Sequence, residues 1–113
     1  MVIYTTAALV RKRCKYISAF LSDLDIEKFI EEAESLIDCV MRYSFKATFV
    51  ATKHTVLREC ATDLAAYAAT SYDPAEHPSV SHFGSMLENL WFEAERLLAY
   101  LEDQRTVDYL KSL

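Results

Sequence analysis

Apolar residues recur along most of the chain at the three- and four-residue spacing of a helix. In DIEKFIEEAESLIDCVMRYS, residues 25–44, the apolar positions are Ile26, Phe29, Ile30, Ala33, Leu36, Ile37, Val40 and Met41. They line one side of a helix. Glu27, Lys28, Glu31, Glu32, Glu34, Ser35, Asp38 and Arg42 cover the rest. Asp23 and Asp25 can cap the free amides at its start, where the helix dipole favours acidic groups. At the helical rise this element spans about 29 Å, enough to cross a small domain.

A shorter helix precedes it, capped by Thr5 or Thr6, with Ala8, Leu9, Cys14 and Ile17 facing inward. Leu21 and Ser22 mark a break before the long helix. After it, FKATFVAT (45–52) is aromatic and β-branched and loses the helical period. It predicts an extended loop, able to pair with another chain. Thr52 then caps a third helix over about 53–71, whose inward set is Val56, Leu57, Cys60, Ala61, Leu64 and Ala68. Its segment LAAYAAT is rich in small residues, which lets a neighbouring helix come close. SYDPAEHPS (71–79) carries two prolines, each disfavouring helix at the residue before it. Ser79 or Ser81 starts the last long helix, reaching about Gln104. Its stripe is Phe83, Leu87, Leu90, Trp91, Ala94, Leu97, Leu98 and Leu101. Ser85 and Glu88 also have capping-box spacing.

These patterns predict an all-α fold: a small bundle of three long helices plus a short N-terminal helix, with a loop around 45–52 and a C-terminal tail. With 113 residues the chain makes one domain, read as a bundle over 1–104 and a partner-docking tail over 105–113. One glycine and two prolines leave little material for a turn-rich sheet. Each helix has one apolar face and needs packing to be stable.

The formal net charge of −5 argues against a nucleic-acid grip, which needs a basic face. The one dense basic run, Arg11, Lys12, Arg13 and Lys15, reads as a solvated helix face. Cys14, Cys39 and Cys60 lie far apart, in or beside apolar stripes, and read as buried reduced thiols of a cytosolic setting. The start MVIYTTAALVRKR reverses the order of a secretory signal, and no apolar run is long enough to span a membrane. The reading is therefore of a soluble protein.

Chemistry finds little purchase. The cysteines form no close ligand pair, His54 stands alone, and His77 and His82 flank a proline. No glutamate has a histidine three residues later, as a helical di-iron site requires. His54 and Cys60 fall on different sides of one helix, and phosphate-cradling glycine motifs are missing. Glu31, Glu32, Glu34, Glu93, Glu95, Glu102 and Asp103 fall on polar faces, where solvent keeps them ordinary. The expectation is a non-enzyme with no metal and no cofactor.

The aromatic residues exceed what one core requires. Seven tyrosines are many for this size, and tyrosine favours interfaces. Phe92 lies off the stripe of its helix, Tyr100 near its edge, and Tyr67 beside the small-residue face; these three are the expected subunit contacts. Val107, Tyr109, Leu110 and Leu113 make the tail apolar, and with Phe45 and Phe49 they are the expected contacts to a partner. A tail of this kind should be removable, residues 106–113, without loss of helix.

The order YTTAALVRKR, LSDLDIEKFIEEAESLID, MRYSF, LRECATDLAAYAAT and a final striped helix resembles the small helical head–tail connector proteins of tailed bacteriophages, also called adaptor or head-completion proteins. The resemblance rests on the Tyr-Thr element before the first helix, on AESLID at residues 33–38, on Arg42-Tyr43, and on the Ala-rich stretch from Leu64 to Thr70. It covers most of the chain, from Tyr4 to about Leu101. FKATFVATKH departs from it, since relatives carry a proline turn there. The resemblance implies a structural virion protein of the neck, made in the host cytoplasm. It implies a homo-oligomeric ring, a dodecamer, bound to portal protein on one side and tail or stopper proteins on the other. DNA would pass through the channel without sequence-specific binding, and no membrane would be involved. The other class open at this point is a small acidic helical interaction module or regulator, acting as a dimer.

Overall fold

The computed structural model describes residues 2–14, 17, 19–72 and 80–113, without the side chains of 80–83. The chain is all-α, and no strand occurs among the described residues. Among the described residues five helices follow in order: α1 (Ala7–Arg13), α2 (Asp23–Met41), α3 (Thr55–Tyr72), α4 (Val80–Glu102) and α5 (Gln104–Ser112). Helix α3 is central, with α1, α2 and α4 packed around it. Tyr16 and His77 lie outside the described residues, as do the side chains of His82 and Phe83.

Local chemistry places the helix ends. Thr6 caps α1, its hydroxyl accepting the Leu9 N–H. Ser22 opens α2 with a reciprocal capping box: its hydroxyl accepts the Asp25 N–H at 3.1 Å, and its own N–H donates to Asp25 Oδ2 at 3.3 Å. Arg42 closes α2 in the left-handed region, φ 58°, its N–H donating to Asp38 and Cys39 carbonyls.

Two apolar clusters make the core. Ala33, Ile37, Met41, Leu57, Cys60, Ala61, Ala94, Leu97 and Leu101 fill the centre. Ala7, Val10, Ile26, Ile30, Ala65, Ala66, Ala69 and Leu90 fill the other end. Each fully buried isoleucine or leucine contributes about 1.5–3 kcal/mol. In the small-residue segment of α3, Ala65, Ala66 and Ala69 are buried, whereas Ala68, expected inward, is only half-buried.

Several expectations are corrected. In α1, Ala7 and Val10 face inward, whereas Ala8 is exposed and Leu9 only half-buried, because the cap at Thr6 sets the phase. Leu36 and Trp91, expected inside, lie at the stripe margins and are 44 % and 40 % exposed. Cys39 is exposed, while Cys14 and Cys60 are buried. Glu34, assigned to the polar face, is fully buried. The segment 45–52 forms turns and no extended strand. The supposed tail is helix α5. Asp103 caps it, and Val107 and Leu110 enter the core beside Leu101. Removing 106–113 would therefore open the core.

Candidate functional site

Partner contacts are the function the sequence suggests, so the site question is which expected contact residues reach the surface. Phe45 does not. It is buried among core residues, with the Tyr43 ring at 4.8 Å and the His54 ring at 5.0 Å. Phe49 is half-buried, 5.2 Å from the Tyr4 ring, with the Arg58 guanidinium over its face. Val107 and Leu110 are buried. These four hold the molecule itself together. Tyr67 is half-buried and packs against Trp91, the rings tilted at 43° with centroids 5.3 Å apart.

The others lie outside. On α4, Phe92 is 62 % exposed and Tyr100 54 %; on α5, Tyr109 is 64 % exposed and Leu113 42 %. Phe92, Arg96 and Tyr100 follow one another at four-residue steps, so they form one row along the outer face of α4. Arg96 pairs with Glu93 at 2.6 Å. An outward row of two large aromatics flanking a guanidinium has the composition of a protein contact and not of a solvated helix face.

His54 ties the loop to α5. Its Nδ1 accepts the Val50 N–H at 3.1 Å, which puts the ring proton on Nε2, and Nε2 donates to the Leu110 carbonyl at 3.1 Å. Lys111 lies over the Tyr43 ring at 4.1 Å and adds to the same junction. His54→Ala should cost about 2 kcal/mol, from two lost hydrogen bonds and lost ring packing. The check is a urea midpoint together with tryptic cleavage at Arg105; both should move, and an unmoved midpoint would show that α5 is held otherwise.

No family model matches the chain, and no curated protein or solved structure is similar to it.

A polar network that sequence reasoning missed pins the N-terminal segment. The buried Glu34 carboxylate accepts the N–H groups of Ile3 at 2.8 Å and Tyr4 at 2.6 Å. The Tyr4 hydroxyl donates to Asp38 at 2.6 Å and accepts the Phe45 N–H at 3.0 Å. Burial, helped by the Asp38 carboxylate, holds the Tyr4 phenol well above its usual range. Arg58 donates to the Tyr4 carbonyl, and Thr5 and Thr62 share a hydroxyl hydrogen bond at 2.7 Å. The signal was in the sequence: Glu34 sits four residues after Ile30 and three before Ile37, on the apolar stripe itself.

A second buried carboxylate, Asp63, pairs with Arg13, which also pairs with Glu59. Burial pushes Asp63 up to about 6, more than Arg13 draws it down, and Glu93 and Glu59 push the same way. Burial also pushes the Cys60 thiol up to about 12, so it is a poor nucleophile at neutral pH. Asp63 is 1 % exposed, and the depression beside it is lined by Leu9, Lys12, Arg13, Arg58, Glu59 and Thr62, without Asp63 itself. A concavity of about 500 Å³ is an open groove where the end of α2 meets the α4–α5 junction; Cys39, Val40, Met41, Arg42, Glu102 and Gln104 line it. Its ionisable groups are solvated. Among the described residues no three His, Cys, Asp or Glu side chains gather as metal ligands, and no helix is long and apolar enough to cross a membrane.

Proposed function

We propose that the protein is a head–tail connector of a tailed bacteriophage, a structural subunit without catalytic activity that sits in the virion neck. The observation that carries this reading is the aromatic surplus outside a closed core: Phe92, Tyr100 and Tyr109 are each more than half exposed, while the core is filled without them. Phe92 and Tyr100 share one row of α4, and large aromatics gathered on an exposed face favour a protein contact. The resemblance of the Tyr-Thr element, AESLID, Arg42-Tyr43 and the Ala-rich helix supplies the biological setting.

In this reading α4 forms the subunit contact of a ring of roughly twelve head-to-tail copies beneath the portal. Tyr109 and Leu113, on the exposed side of α5, meet the portal or the tail completion proteins. A net charge of −5 per subunit suits a DNA channel, since an acidic wall gains nothing from counterion release and lets DNA slide.

The test is co-sedimentation with the portal assembly encoded in the same genome. The intact chain should sediment with it as a stoichiometric ring. Phe92→Ser and Tyr100→Ser should each weaken that association at least about tenfold while leaving helical circular dichroism unchanged, the size expected for central aromatic contacts. Absence of any association with portal or tail proteins would overturn the reading.

A further inference from the structure

Helix α2 carries exposed leucines of its own on its outer side. Leu24 is 71 % exposed and Leu36 44 % exposed. Between them, at four-residue steps, stand Lys28 and Glu32, both exposed. Neither has an ion-pair partner in the chain among the described residues. The row Leu24, Lys28, Glu32, Leu36 therefore reads apolar, cation, anion, apolar. Its physical character is antisymmetric about its midpoint, at Ile30.

That order has a consequence for pairing. Laid antiparallel on a copy of itself and centred on Ile30, the row sets each leucine against a leucine and each lysine against a glutamate. A parallel alignment in register would instead set Lys28 on Lys28 and Glu32 on Glu32. Rows at this spacing are the ridges that interdigitate in the commonest class of helix crossing, near −50°. The receiving surface is concave. A depression of about 150 Å³ beside Leu36 is lined by Phe29, Glu32, Ala33, Leu64 and Ala68, and another of about 260 Å³ by Leu21, Asp25, Lys28, Phe29, Glu32 and Tyr72.

We propose that α2 is the contact of a twofold homodimer. Leu24 of one copy enters the depression beside Leu36 of the second, and Lys28 of one meets Glu32 of the other, each contact occurring twice. The occupant is a second copy because the charge order along the row fits its own reverse, and a parallel alignment in register, or an antiparallel one shifted by a turn, sets like charges together. The contact uses none of Phe92, Tyr100, Tyr109 and Leu113, so it stands independently of the connector reading. It describes the protein before assembly or in a paired form.

The experiment is sedimentation equilibrium on the full chain and three variants. The parent should dimerise. Lys28→Glu or Glu32→Lys alone turns two attractions into two repulsions and should raise the dimer dissociation constant at least about tenfold. The double variant, Lys28→Glu with Glu32→Lys, restores opposite charges across the axis and should recover most of the parent affinity. Both substituted side chains are exposed, and circular dichroism on each variant verifies the fold. A monomeric parent at millimolar concentration, or a dimer that ignores the single reversals, or a double variant no tighter than the singles, would each overturn the proposal.

Discussion

Glu34→Ala is expected to lower folding stability by about 2–3 kcal/mol and to release the N-terminal segment. The carboxylate is fully buried and accepts two backbone N–H groups, those of Ile3 and Tyr4. Hydrogen bonds to a charged acceptor contribute about 1.5–3 kcal/mol each, and alanine leaves the buried Tyr4 amide without a partner. Removing a buried charge returns part of that loss, since desolvation of Glu34 opposes folding. Glu34 Oε1 itself has no hydrogen-bond partner among the described residues, which makes the opposing contribution substantial. Glu34→Gln keeps the shape and one carbonyl acceptor, and should cost only about 1 kcal/mol. Urea denaturation reads the stability. Amide exchange at Ile3 and Tyr4 reads the release, and should rise together with it. An Ala variant of unchanged midpoint and unchanged exchange would show that the segment is held by Arg58, Asp38 and Thr62 alone.

Arg13→Met is expected to be the most pH-sensitive substitution in the chain. At about pH 8 it should cost roughly 3 kcal/mol, because it strands a buried Asp63 carboxylate without its counter-charge. Near pH 5 the cost should largely vanish, since Asp63 can then take up a proton. The parent protein carries the same signature in weaker form. Burial raises the folded Asp63 from 3.8 to about 6. Between those values the folded state holds a proton that the unfolded chain has lost. The Asp63 contribution to stability is therefore greatest below that window, declines as pH rises through it, and is level above it. The stability difference between the parent and Asp63→Asn should shift by about 2–3 kcal/mol across this window, in the direction of relative loss for the parent at the higher pH. Thermal melts of both proteins from about pH 4 to pH 8 would measure it. A difference that stays flat would mean that Arg13 fully offsets the burial of Asp63.

The helices were legible because their apolar spacing is a one-dimensional pattern that tertiary packing rarely overrides. Ile26, Ile30, Ala33, Ile37 and Met41 fall inside as their period demands. What was illegible depended on a partner far away in the chain. The place of Glu34 on the apolar stripe was visible, but it is tolerated in the core because residues 3 and 4 bring N–H groups to it, about thirty positions distant, and periodicity carries no information about those partners. Phe45 looked available because a loop residue has no periodic face, yet the Tyr4 hydroxyl and the His54 ring enclose it. Helix α5 is short and polar on average, so its apolar residues suggested a docking tail; Asp103 as cap and the Val107–Leu110 spacing were the signals for a folded-back turn. Among the interface candidates, Phe92 lies off the stripe of its helix in sequence and Tyr100 near its edge, and both lie outside in the structure, which gives them the greatest weight.

Hydroxyl-radical footprinting of aromatic side chains, on the free chain and in a mixture with its portal assembly, reads the central claim directly. Phe92, Tyr100 and Tyr109 should be oxidised quickly in the free chain and become protected on mixing, while Tyr4 and Phe45 stay slow in both. Phe92 and Tyr100 remaining as reactive in the mixture as in the free chain would contradict the account.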